Sequence, residues 1–265
     1  MWLDPLIYYD KFRKIGGMIA FDGVKLKISI IIPLYNEVDL VEPFLARLAD
    51  TIEELGRQSC GDWEIVISDA GSSDGTFERV IDFLPQSGWK LIKSGIKDPS
   101  VGKTINQGVE AASGDYVWIL PVDTHVSVAS FKALCAKAIG ESFKYSAFAK
   151  SYKPTSAVLK IYEFFQNSVR LKLLRHVVWT NGICISKSLI DKNPIPNLGF
   201  LEDVLLSDRL KKKYELKIIE GTIEVSPRRY LRNGTLSQIF TNLFIMTFFR
   251  MRIMKPQNLK TIYNR

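Results

Sequence analysis

The sequence predicts an α/β domain: a mostly parallel central sheet with helices covering both faces. Over the first 125 residues, short apolar runs alternate with stretches whose apolar residues recur at helical spacing, which is the pattern of repeated strand–helix units. The runs themselves are near-continuously apolar, as strands buried on both faces are. Polar and acidic residues stand just after them, where open α/β sheets bind ligands.

KISIIIPLYNE (27–37) is the first buried strand, ended by Pro33. A helix follows through Val41, Leu45, Leu48, Ile52 and Leu55, with Asp39 and Glu42 resembling a capping box. WEIVISD (63–69) is the second strand, and the polar turn AGSSDGT leads into a helix through Val80 and Leu84. A short strand over 90–93 precedes a helix around 105–112, which Gly114 is expected to close; YVWILPVD (116–123) is another central strand. The second half is less regular. Residues 155–175 form an aromatic-rich helix candidate, 181–190 read as a strand, and LEDVLLSDRLKKK is an amphipathic helix. No internal repeat or low-complexity stretch interrupts the chain.

At 265 residues, 46% of them hydrophobic and 24% charged, the chain is long enough to bury a core without staples. Cys60, Cys135 and Cys184 have no ligand-like spacing and read as reduced thiols of a cytoplasmic protein. With two histidines, His125 and His176, a histidine-based zinc site or a Ser-His-Asp triad is a poor fit. The net charge of +8 sits in the tail: Val225 to Arg265 holds eight basic residues and no acid. That points to a local anionic partner, a phosphate group or a membrane surface, and away from a globally basic nucleic-acid binder. The N-terminus shows no signal-peptide pattern, and no run reaches the length of a membrane span.

Asp123 closes a very apolar strand, where a carboxylate is costly unless solvated, paired or bound to a cation. With His125 two residues on, it is a candidate ligand for magnesium or manganese, or else a cap for the next helix. Glu202 and Asp203 open a helix, either as dipole-favoured caps or with a general base for an acceptor hydroxyl among them. In SDAGSSDGT, an acid could meet a base or ribose, or the turn could simply connect strand to helix. Lys103 at a helix start faces a phosphate or solvent. Neither G-x-G-x-x-G nor a Walker A motif is present, which counts against dinucleotides and ATP hydrolysis. Arg228 and Arg229 are candidate diphosphate ligands, since guanidinium forks suit phosphate geometry, or else loop charges.

Five blocks in order, I-P-L-Y-N-E, V-I-S-D-A-G-S-S-D-G-T, G-K-T-I-N-Q-G-V-E-A-A-S-G-D-Y, I-L-P-V-D-T-H and F-L-E-D-V-L-L-S-D-R-L, resemble the family 2 glycosyltransferases over residues 27–234. S-P-R-R-Y-L-R-N-G (226–234) is closest to a bacterial subgroup with an R-R-Y…G element. The resemblance implies a GT-A fold and inverting transfer from a nucleoside-diphosphate sugar, UDP favoured, usually with a divalent cation. By position it places Pro33, Tyr35, Glu37 and Asp69 in the nucleotide pocket, Asp123 as the retained acid of a D-x-D element, and Asp203 as catalytic base beside Glu202. Two departures stand out. Ala70 replaces a second acid that many relatives carry, and Pro121 replaces the first D-x-D acid, leaving Asp123 alone or a D-x-H pair with His125.

The expected organisation is an N-terminal extension (1–26), a catalytic domain (27–234, its donor half 27–125 and acceptor half 126–234) and a basic C-terminal tail (235–265). The tail's apolar stretch, 239–249, is too short to span a bilayer and runs into Arg250, Arg252 and Lys255. A helix over 236–255 lying in the inner face of the cell membrane fits both features, as does one packed on protein. The expected reaction is sugar transfer to a lipid-linked or glycan acceptor. A catalytically idle membrane-bound scaffold and a nucleotidyltransferase are the rival readings.

Overall fold

The computed structural model describes residues 12–15, 18–21, 26–56, 62–84, 89–93 and 100–263; Cys60 and most of the N-terminal extension lie outside them. Strands β1 (Phe12–Ile15) and β2 (Met18–Phe21) pair as an antiparallel ribbon. Then come β3 (Lys27–Leu34), α1 (Val38–Gly56), β4 (Asp62–Asp69), α2 (Thr76–Phe83), β5 (Lys90–Lys93), α3 (Val101–Ala111), β6 (Tyr116–Ile119) and β7 (Thr124–His125). The second half adds α4 (Val128–Glu141), β8 (Tyr145–Tyr152) and α5 (Ala157–Phe164), which runs on as a π-helix over Phe165–Leu173. A 3-10 turn (Trp179–Asn181), β9 (Cys184–Ser186), α6 (Lys187–Lys192), α7 (Glu202–Lys211), β10 (Leu216–Val225), α8 (Arg228–Asn233), α9 (Thr235–Arg250) and α10 (Pro256–Tyr263) complete it.

Eight strands form one sheet in the order β5-β4-β3-β6-β9-β8-β10-β7. The first four are parallel, as the alternating pattern predicts. Beyond β6 the sheet is mixed: β9 runs antiparallel to both β6 and β8, β8 and β10 are parallel, and β7 is antiparallel to β10. The apolar runs feed two cores in alternation. Ile28, Ile30, Ile32 and Trp118 face the core under α1, α2 and α4, while Ile31, Val117 and Ile119 face the one under α3, α6 and α7. A continuous apolar run is therefore a period-two pattern whose both phases are buried.

Several local expectations change on folding. Asp39 does not cap α1: the Asp74 carboxylate, from the loop after β4, accepts the Val38 N–H at 3.1 Å, and Glu42 pairs with Arg79. Gly114 does not close α3, which ends at Ala111. Its N–H donates to Ser29 Oγ, and a Cβ there would lie 2.7 Å from the Ser29 backbone nitrogen, so this glycine serves close approach. The strand expected over 181–190 is three residues long and passes into α6, and the one over 116–123 stops at Ile119. Gly182 is the tightest fit. At φ +55° its carbonyl accepts the Trp118 indole N–H at 3.0 Å, and a Cβ would come within 2.2 Å of Ile223 Cδ1.

A buried carboxylate ties the amino ends of the parallel strands. Glu64 accepts from Ser29 Oγ, from Ser113 N–H (2.8 Å) and Oγ (2.9 Å), and pairs with Lys90. Burial alone would raise its pKa, but these donors hold it down to about 2. The other end of the sheet is left to the loops that follow the strands. Cys135 and Cys184 are buried in the core, as their apolar surroundings in the sequence imply.

Candidate active site

The carboxyl ends of β3, β4 and β6 converge, so the loops after them share one cleft. The loop after β3 is tied to the loop after β4. Asn36, at φ 53°, receives a bond from the Ser73 N–H and donates its own to Ser72 Oγ, and the Glu37 N–H donates to Thr76 Oγ1 at 2.8 Å. Asp69 is fully buried, and its oxygens accept from Gly71 N–H, Ser72 N–H and Ser72 Oγ at 2.6–2.9 Å. Its carboxylate holds the turn in shape. Tyr35 is 53% exposed at the mouth, with Pro33 half-buried behind it. Lys103 is half-buried in the first turn of α3, its N–H donating to the Ser100 cap.

Asp123 lies beyond β6 with Oδ1 buried and without a hydrogen-bond partner. Burial raises its pKa, against the pull of the cations Arg228, Lys150 and Arg229. An orphaned carboxylate oxygen fits a cation ligand. Among the described residues no cluster of three or more His, Cys, Asp or Glu side chains completes such a site. His125 has other surroundings: on β7, opposite Glu224 of β10, it is faced by Glu224, Arg47 and Lys153, and burial lowers its pKa. Both residues nevertheless line one cavity, against α1 and the end of β10.

Glu202 and Asp203 are adjacent in sequence and differ in surroundings. Glu202 Oε2 accepts the Gly102 N–H at 2.9 Å and Oε1 the Gly199 N–H at 3.0 Å. At 3% exposure, this carboxylate clamps the start of α3 to the loop before α7. The expectation of a chemical role for Glu202 gives way to a positioning one. Asp203 accepts the Val204 N–H at 2.8 Å. Burial raises its pKa, with Arg170 opposing.

Arg228 and Arg229 open α8, after β10. Arg228 Nη2 reaches both oxygens of Glu37 at 2.8 Å, an ion pair spanning 191 residues. Burial raises the Glu37 pKa and Arg228 pulls it back. Arg229 stacks on the Tyr263 ring at 4.1 Å, leaving Nη1 buried and unbonded.

Three participants, Lys150, Arg170 and Tyr263, were absent from the sequence reading, and a fourth, Tyr230, is the tyrosine of the R-R-Y…G element. Lys150, on β8 and 4% exposed, lies by Asp123 and Asp203, its Nζ 3.4 Å from Thr180 Oγ1. Burial and then Arg170 press its pKa down to about 7. Arg170 sits on the π-helical segment, a geometry often found at functional sites. Tyr230 bonds Tyr152 at 3.3 Å, and both are packed with Tyr162. Tyr263, from the tail, packs on Phe200 and is influenced by both Asp203 and Asp123. No motif announces Lys150, Arg170 or Tyr263; a lysine within YSAFAKSY, a strand otherwise apolar and small, is the single signal for them that could have been read.

A mixed sheet whose parallel half presents a tied double loop, a half-buried carboxylate after β6 and a second acid at a helix start is the architecture of a GT-A protein. The chain belongs to glycosyl transferase family 2, whose family model matches residues 29–189. A "PGL/p-HBAD biosynthesis glycosyltransferase" of Mycobacterium bovis is 35% identical over 113 residues, covering 43% of this chain and 41% of the relative. An "undecaprenyl-phosphate 4-deoxy-4-formamido-L-arabinose transferase" of Salmonella paratyphi B is 30% identical over 121 residues, 44% of this chain and 36% of the relative. The chain thus spans about two fifths of the curated relatives it matches. Among solved structures, mannosyltransferase PcManGT from Pyrobaculum calidifontis, in complex with GDP-Man and Mn2+, superposes with a TM-score of 0.64 at 16% identity, covering 98% of this chain and 75% of its own. That likeness shows the fold.

Proposed function

We propose that this chain is an inverting glycosyltransferase that moves a sugar from a nucleoside-diphosphate sugar to a lipid-linked or glycan acceptor by single displacement. The observation that carries this is that two half-buried acids, Asp123 and Asp203, both act on the buried Lys150, with Arg228 and Arg229 acting on Asp123. Residues 27–125 supply the donor side and 126–234 the acceptor side. Tyr35 and Pro33 line the nucleotide pocket, and Asp69 and Glu37 shape it through the loop and the Arg228 pair. UDP is the first nucleotide to test, with GDP beside it because PcManGT holds GDP-Man.

In the reaction, an acceptor hydroxyl oxygen attacks the anomeric carbon as the bond from that carbon to the diphosphate oxygen breaks, the electron pair leaving with the diphosphate. Asp203 takes the hydroxyl proton; its raised pKa makes it a stronger proton acceptor than an ordinary aspartate. Arg228 and Arg229 are placed to meet the leaving group, and the unbonded Arg229 Nη1 has a donor to give. A magnesium or manganese ion on Asp123 would offset charge developing on the diphosphate. The Salmonella relative's named undecaprenyl-phosphate chemistry supports a lipid-linked acceptor, and the basic tail over 236–255 supports work at a membrane surface.

Calorimetric titration with UDP, GDP and CDP, each with and without manganese, tests the donor half. Selective, cation-enhanced binding of one nucleotide is the expected result. No binding under any condition would favour the idle scaffold, to which Pro121 in the place of an acid already lends weight.

A further inference from the structure

Helix α9 exposes a row of large apolar residues. It buries Ile245 and Gln238, the latter bonding Asn233 and Asn242, while Leu236, Phe240, Leu243 and Phe244 stand 41–67% exposed. Their spacing of four, three and one places them on one face. Helix α5 packs against α9 and does the same: Leu159 and Tyr162 are buried, whereas Ile161 and Phe164 are 72% and 70% exposed, with Phe165 at 40%. A fully exposed aromatic side chain presents roughly 150–250 Å², so these seven residues together offer on the order of 700 Å², above the few hundred usual for an isolated soluble protein. The exposure follows from design on the inner face: Tyr162, Gln166 and Arg170 are turned to the site, and the tyrosine cluster fixes α5 and its π-helical extension beside α8.

The charge around the face is one-sided. Exposed Lys160 lies on α5, Lys172 and Arg175 follow it, and exposed Arg232, Arg252 and Lys255 flank α9. The sole acid of 157–175, Glu163, is turned inward to the Tyr152 N–H at 2.9 Å, and 228–263 contains none. We propose that α5 with its π-helical extension and α9 form a single membrane-docking platform for an anionic bilayer, apolar at its centre and cationic at its rim. This deepens the membrane reading above, which used the tail alone. The walls of the acceptor side are then the elements that touch lipid, so a lipid-linked acceptor would enter from the surface on which the enzyme rests. Apolar burial and attraction to acidic headgroups act together in such a contact.

The test is flotation of the full chain with vesicles of phosphatidylcholine alone and with one fifth phosphatidylglycerol. Binding is expected with the acidic vesicles and not with the neutral ones. Phe164→Ser, on α5, should lower the partition coefficient by about tenfold, as should Phe240→Ser on α9, and Lys172→Glu with Arg175→Glu by at least as much. Wild-type nucleotide binding by each variant shows that fold and donor site are intact, so a failure here is separable from failure of the enzymatic reading. Unchanged flotation of Phe164→Ser would remove α5 and leave only a tail contact. Concentration-dependent dimers abolished by the same serines would make the face an interface between two copies and overturn the proposal.

Discussion

Glu202 and Asp203 are neighbours that should respond oppositely to mutation. Glu202 accepts two backbone N–H groups, from Gly102 at 2.9 Å and Gly199 at 3.0 Å, inside a site that is 3% exposed. A hydrogen bond to a charged group contributes about 1.5–3 kcal/mol, so Glu202→Ala, which also strands two buried donors, should cost about 3–5 kcal/mol. That is a large share of the about 5–15 kcal/mol by which domains are stable. Asp203→Asn is the converse. Its raised pKa shows that the buried charge is unfavourable, and the variant's amide oxygen can still accept the Val204 N–H. Stability should therefore stay within about 1 kcal/mol or improve, while loss of a general base lowers turnover by about 10²–10⁴-fold with nucleotide affinity unchanged. Urea unfolding gives the first quantity and transfer assays the second. A stable but inactive Glu202→Ala, or an active Asp203→Asn, would reverse the roles assigned to the two acids.

Asp123 titrates above its ordinary value because it is buried. The folded protein thus holds the extra proton between the two values, and stability without metal falls as pH rises through that window. Manganese competes with that proton, so its affinity should rise with pH over the same window. Asp123→Asn should remove both trends, as calorimetry and melting curves across pH would show. Lys150, at about 7, is the mirror case: from there up to the usual lysine range the unfolded chain holds more protons, so this residue makes stability rise with pH. Lys150→Met should raise the melting temperature at neutral pH, flatten that dependence and abolish transfer; a lower melting temperature would mean that the amine stabilises the fold as a charge. Gly182→Ala should leave little folded protein, since its Cβ would sit 2.2 Å from Ile223 Cδ1 at a φ of +55°, a combination costing more than about 2 kcal/mol. Near-wild-type circular dichroism and melting would show that the sheet yields there.

The sequence by itself determined the α/β class and the positions of β3, α1, β4, α2 and α7, because continuous apolar runs and helical spacing are local signals. It also placed acids at 69, 123 and 203 by their position after strands or at a helix start, and the order of blocks identified the family. What it could not assign was the use of each acid. Asp69 and Glu202 spend their oxygens on backbone N–H groups, and Asp74 rather than Asp39 caps α1. Asp69 bonds within its own turn, whereas the cap of α1 and the Glu202 bond to Gly102 depend on partners 36 and 100 residues away, which no local pattern encodes. Lys150, Arg170 and Tyr263 entered the site the same way, carried by a strand, a π-helix and the tail. Burial and charge are properties of the assembled surroundings, so the tertiary structure alone decided which ionisable groups are desolvated together.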